Sequence, residues 1–150
     1  MIKISHRGNL FGKNISQENS PEYIVDAIRS GYDCEVDLWR LNGELFLGHD
    51  NPQYKVDNFF IDTYVKKLWI HCKNLEALDF VMDMPKYYRA FWHENDSYTI
   101  TTNRYIWTYP GMPVSKQSIL VHLDLPSKEV LSLNLAGICS DHIGRVNAKI

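Results

Sequence analysis

Apolar and polar residues alternate through IKISH (residues 2–6), which puts Ile2, Ile4 and His6 on one face of a strand. The same period of two runs through DCEVDLW (33–39). There Asp33, Glu35 and Asp37 share one face, and Cys34, Val36 and Leu38 share the other. Strand patterns recur at 44–49, 67–73, 88–93, 98–101, 118–124 and 136–140, making eight in all. Between them lie helix signals. Ser20 is placed to cap, Pro21 suits the first helical position, and Tyr23, Ile24, Ala27 and Ile28 form an apolar face that Gly31 closes. Asn74 caps a predicted helix over 75–84, Ser127 caps a short one reaching about Leu133, and 57–66 include another short one. Residues 7–19 read as loop, and Asn42-Gly43 as a tight hairpin turn.

Alternation of strands with helices or loops predicts a parallel α/β sheet in a single domain spanning residues 1–150, with no repeat or linker to divide it. A (β/α)8 barrel ordinarily takes about 200 residues or more. In 150 residues, eight strands leave room only for helices cut to a turn or lost.

Charge narrows the choice of partners. A net charge of −2 and a pI near 6.3 give no general attraction to nucleic acid or anionic membranes, so any phosphate binding must be local. Cys34, Cys72 and Cys139 are odd in number and lack paired spacing, so they read as buried thiols of a reducing compartment. No apolar run is long enough to span a bilayer, and the first residues read as strand, not as a signal peptide. The expectation is a cytoplasmic protein.

Polar residues gather where the predicted strands end: His6-Arg7, Glu35 and Asp37, His49-Asp50, His71 and Lys73, His93-Glu94, Asp124, and Asp141-His142. In a parallel barrel those ends form one rim, where active sites sit. Glu35 and Asp37, about 6.6 Å apart along one strand face, repel each other when buried together. A proton on one of them or a cation between them resolves the repulsion, and a hard divalent ion bound through oxygen is the simplest remedy. The alternative is a solvated acidic face on an edge strand. His6 and His49 both end strands and suit general acid–base work, and the Arg7 fork suits phosphate oxygens. Structural hydrogen bonds and a surface ion pair are the plainer roles for these residues. Trp92, Tyr98, Tyr105, Trp107 and Tyr109 cluster late in the chain, either as core or as a stacking wall for a sugar or glycerol group.

In order, SHRGN (5–9), ENSPEYIVDAIRSGYDCEVDLW (18–39) and NGELFLGHD (42–50) resemble the glycerophosphodiester phosphodiesterase family, within the phospholipase C-like phosphodiesterases. IHCKN (70–74) resembles that family's strand with a Glu-x-Lys, and GICSD (137–141) its last strand, while 87–117 have no counterpart. The resemblance implies a compact (β/α)8 TIM-type barrel with shortened or missing helices, hydrolysing a small-molecule phosphodiester with the help of one divalent ion. It makes His6 and His49 the acid–base pair and Glu35 and Asp37 metal ligands. Arg7 and Lys73 then neutralise the phosphate, and Glu18 sits near the site with the substrate; Trp92, outside the resembling segments, is a substrate-binding candidate only as part of the aromatic cluster. The family's third acidic ligand is replaced by His71, unless Glu94 supplies the missing oxygen. Imidazole shifts the preference from Mg²⁺ or Ca²⁺ towards Mn²⁺ or Zn²⁺. Neither nucleic acid nor membrane insertion enters this reading. Short length and the His71 replacement support a different one, a degenerate barrel that binds a phosphorylated metabolite or sugar polymer without turnover. A sphingomyelinase D-like phospholipase shares the ligand logic, but the lack of a signal peptide and of disulfide spacing counts against it.

Overall fold

In the computed structural model, which describes residues 1–146, the first strand, β1 (Ile2–His6), ends in a two-residue reversal at Arg7-Gly8. Helix α1 (Pro21–Arg29) follows, with the Ser20 side chain accepting the Tyr23 N–H as its cap. Then come β2 (Asp33–Leu41), β3 (Glu44–Leu47), β4 (Tyr54–Val56), α2 (Asn58–Tyr64), β5 (Leu68–Cys72), α3 (Leu75–Met82) and β6 (Ala90–Phe91). The remaining elements are β7 (Tyr98–Ile100), β8 (Ile106–Thr108), β9 (Ser118–Val121), α4 (Lys128–Leu131), β10 (Gly137–Ser140) and a 3₁₀ turn, Ile143–Arg145.

The ten strands form one mixed sheet, curved into a half-barrel. Seven run parallel, in the spatial order β6-β5-β2-β1-β10-β9-β8. Three are antiparallel: β3 on β2, β4 on β3, and β7 on β8. Strand β2 is nine residues long and is shared out. Its first part pairs with β1, its middle with β5 and its last part with β3.

The expected (β/α)8 TIM-type barrel is therefore not formed. Four short helices are too few to connect eight parallel strands, and the chain crosses from β8 to β9 through a loop alone. The strand count misled because it mixed two kinds. The segments at 44–49 and 98–101 give the antiparallel β3 and β7, while the parallel β8 is three residues long, too short to show a period.

Period-two patterning decides which side chains face where. The convex face of β2 carries Cys34, Val36 and Leu38, which pack with Leu68, Ile70 and Cys72 of β5 under Ile24, Ala77 and Val81 of α1 and α3. On the concave face, Ile4, Trp69, Phe91, Trp107, Ile119 and Cys139 fill the lower part of the half-barrel. Asp33, at the foot of β2, accepts from Trp69 and Arg89 and pairs with Lys67, so the first acid of the column is satisfied structurally. All three cysteines are buried and unpaired. No described helix is long and apolar enough to cross a membrane.

Candidate active site

Sheet register lines up the chemistry above that core. In a parallel pair, residues in register point to the same face. His6 of β1 sits opposite Glu35 of β2, Asp37 opposite His71 of β5, and His71 opposite Phe91 of β6. His49 arrives through the Asn42-Gly43 hairpin, not as the end of a parallel strand. Because β3 is antiparallel, the hairpin at Asn42-Gly43 carries the chain back down, and the Gly48 N–H donates to the Asp37 carbonyl. The place beside Asp37 is vacant because β1 has already turned away at Arg7.

These strand ends open on a cleft of about 480 Å³. One side presents His6, Arg7, Glu35, His49, His71 and Lys73, and the other Trp107, Tyr109, Val121 and Leu123. The two acids are almost fully buried, Glu35 at 3% exposure and Asp37 at 0%. Asp37 is clamped by Asn19, whose amide donates to Asp37 Oδ2 at 2.8 Å while its carbonyl oxygen accepts the Asp37 N–H at 2.9 Å. Arg7 Nε lies 3.1 Å from Asp37 Oδ2, and Arg7 Nη1 donates to Glu18 at 3.2 Å. Arg7 and Asn19 both have left-handed backbone, φ 57° and 65°. Such conformations are costly for residues with a Cβ, and they persist where the surroundings over-determine them.

Two of the three imidazoles have tautomers fixed by their partners. His6 Nδ1 lies 2.7 Å from Asp141 Oδ1, which also accepts from Asn9. Burial works to raise the Asp141 carboxyl, but the His6 bond outweighs it and holds the group below its ordinary range. An ionised carboxylate only accepts, so His6 Nδ1 carries the proton and Nε2 is free towards the cleft, 3.9 Å from Glu35. His71 Nε2 donates to the His93 carbonyl at 2.9 Å. Its Nδ1 therefore faces Asp37 Oδ1 at 3.1 Å and Glu35 Oε1 at 3.9 Å. The third, His49, receives Arg7 Nη2 at 3.5 Å on Nε2 and turns Nδ1 towards Asp37.

An imidazole lone pair 3.1 Å from a carboxylate oxygen is repulsive unless a proton or a cation lies between them. Ligating atoms of Glu35, Asp37 and His71 all come within 4.8 Å of one another. Asp37 Oδ1 and Glu35 Oε2 are buried without a hydrogen-bond donor. Burial, and then the Asp37 charge, push the Glu35 carboxyl well above its ordinary range. Asp37 goes the other way: burial opposes ionisation, but His49 and Arg7 hold it well below, with His71 adding to this only when its Nδ1 also carries a proton. Two buried oxygens without donors and one imidazole nitrogen at the floor of the cleft make a donor set that fits a divalent cation. A carbonyl behind the histidine fixes its tautomer, as metal ligands require.

Other predicted residues sit further out. Glu94 lines the same cleft but stands outside the three-ligand cluster. Both oxygens of Glu18 are taken, by Arg7 and Asn9, so it orients the arginine instead of facing the cleft. Trp92 lines an adjoining hollow with Trp39 and Lys73. The aromatic cluster divides: Trp107 and Tyr109 face the cleft, Tyr105 packs on Trp69, and Tyr98 lines a separate groove by β7. Asn9, Asn19 and Asp141 carry roles that sequence spacing did not assign. Asn9 and Asn19 lie inside the resembling motifs, and Asp141 ends a predicted strand, but their partners are set by tertiary neighbours. Comparison with protein-family models, with curated proteins and with solved structures returned no match.

Proposed function

We propose that this chain is a phosphodiesterase of the glycerophosphodiester type, working on a small-molecule phosphodiester in the half-barrel cleft. The observation that carries the proposal is the convergence of His6, His49, Glu35, Arg7 and Lys73 on one cavity, with Asp37 buried directly behind Arg7. Glu35, Asp37 and His71 are the residues that would hold a divalent cation. When bound, such an ion supplies Lewis-acid stabilisation of charge on a phosphate oxygen. Arg7, already oriented by Asp37 and Glu18, presents its guanidinium to the phosphate together with Lys73.

His6 exchanges its proton at Nε2, because Asp141 keeps Nδ1 occupied. Its Nε2 lies 3.9 Å from Glu35, on the side of the ring away from Asp141. His49 offers the second proton-transfer site. One imidazole takes the proton of the attacking hydroxyl and the other gives one to the departing alkoxide, a pairing worth about 10²–10⁴-fold. A reducing, cytoplasmic setting belongs to the proposal, supported by three buried unpaired thiols.

Purified protein assayed on glycerophosphodiesters and bis(p-nitrophenyl) phosphate, with Mg²⁺, Ca²⁺ or Mn²⁺ and then with EDTA, tests this. Turnover should need the divalent ion and fall at least about 100-fold in His6→Ala and in His49→Ala. Activity that survives both substitutions ends the proposal. Tight binding of a phosphorylated compound without turnover would leave a binding protein in its place.

A further inference from the structure

Charge around the cleft follows the strand order. The charged and imidazole side chains that line the cleft enter from β1 and the loop after it, which carries Lys13, from β2, the segment after β3, the end of β5 and the segment after β6. Strands β8 and β9 and the residues just beyond them contribute Trp107, Tyr109, Pro110, Val121 and Leu123, with no charged side chain among them. The wall is built, not incidental. Trp107 is buried, stacked on Phe91 at 4.3 Å between centroids, and Phe91 stacks in turn on His71 at 5.1 Å. Towards the mouth the wall becomes accessible, with Tyr109 at 47% and Leu123 at 39% exposure. The Tyr109 hydroxyl and the Trp107 indole N–H are its side-chain polar groups.

Such a wall is a poor partner for a polyol. Hydroxyls pressed against it lose water without gaining bonds, whereas each methylene buried there raises affinity about fourfold. The geometry points to a phosphodiester with one apolar alcohol, whose hydrocarbon lies on the β8–β9 wall while the phosphate meets Arg7 and Lys73. This rests on the phosphodiesterase reading of the same cleft and assigns the class of one of the two esters. Exposure rises from Trp107 at 4% to Leu123 at 39%, so the apolar wall runs from the floor of the cleft towards its mouth, which suits an unbranched chain.

The methyl, butyl and hexyl esters of glycerol 3-phosphate test it, since their alkoxide leaving groups are chemically alike and differ only in apolar surface. The expected result is a kcat/KM at least about tenfold higher for butyl than for methyl, with Tyr109→Ser and Leu123→Asn each flattening the series. Binding of methyl phosphate and hexyl phosphate, followed by calorimetry, reads the wall without turnover. A flat ester series, or a preference for glycerol on both sides of the phosphate, overturns the inference and leaves the phosphodiesterase reading standing. No hydrolysis of any ester, with hexyl phosphate binding at least about tenfold tighter than methyl phosphate, supports the wall and removes the hydrolase. Neither hydrolysis nor chain-length dependence in binding overturns both.

Discussion

Glu35 and Asp37 are two residues apart on one strand, face one way, and titrate in opposite directions. The difference lies in their neighbours. Asn19, Arg7 and two imidazoles surround Asp37, whereas Glu35 gets distant help from Arg7 and Lys73 and stands against the Asp37 charge. Linkage then fixes the sign of the stability effect. A carboxyl held above its ordinary value of 4.5 contributes stability fully below that pH, and the contribution is lost as pH rises through the folded-state value. Glu35→Gln, which cannot ionise, should therefore stabilise the metal-free protein more at pH 8 than at pH 5. The expected gain at pH 8 is about 1 kcal/mol or more, or about 2–4 °C in Tm, with metal binding lost. Thermal unfolding in EDTA at the two pH values measures it, and a variant less stable than the parent at pH 8 would contradict the assignment. Asp141 predicts the reverse sign. Held below its ordinary 3.8, it contributes stability above that value that is lost as pH falls further. Its kinetic role is separable: Asp141→Asn should lower kcat by about 10²–10⁴-fold by releasing the His6 tautomer, with KM nearly unchanged. Unaltered kcat would show that Asp141 serves only the fold.

Elements place these residues through two reversals. The first is Arg7-Gly8, where the Asn9 N–H donates to the His6 carbonyl and both turn residues have positive φ, 57° and 95°. A Cβ on Gly8 would stand 2.5 Å from the Tyr23 ring, and Tyr23 also donates to Asn9. Gly8→Ala should thus cost about 2 kcal/mol or more from steric and backbone strain, and displace Arg7 as well. Its chemical denaturation midpoint should fall, and unchanged stability would mean that the turn adapts freely. The second reversal is the Asn42-Gly43 hairpin, legible from the dipeptide, although its consequence was not. A strand taken as parallel delivers His49 at its far end; an antiparallel one delivers the same residue beside Asp37 by doubling back. The sequence singled out residues that the fold brings to one cleft, because His-Arg-Gly, Glu-x-Asp and Gly-His-Asp are local patterns. Sheet direction depends on pairing between distant segments, and strands as short as Ala90–Phe91 or Ile106–Thr108 carry no period to read. The bond from His6 to Asp141 spans 135 positions and exists because β1 and β10 are parallel neighbours.

At the scale of the whole molecule, the half-barrel supports a destabilised site. Well-packed apolar faces under α1 and α3, and around Trp69, carry two left-handed non-glycine residues and several buried polar atoms without partners. Anything that binds the folded cluster and not the unfolded chain recovers part of that cost by mass action, about 2.7 kcal/mol at one hundred times Kd. For a chain of this size that corresponds to a Tm rise of about 5–11 °C. Thermal unfolding across a Mn²⁺ titration should show such a rise, reversed by EDTA and absent in Asp37→Asn. The donor set also predicts an order. An imidazole nitrogen from His71 beside two carboxylates favours Mn²⁺ over Mg²⁺ at equal concentration, and His71→Asp should narrow the gap by restoring an all-oxygen set. A Tm indifferent to both ions at millimolar concentration would mean that the Glu35–Asp37–His71 cluster is held by a shared proton and takes no cation, which would count against the metal-dependent reading.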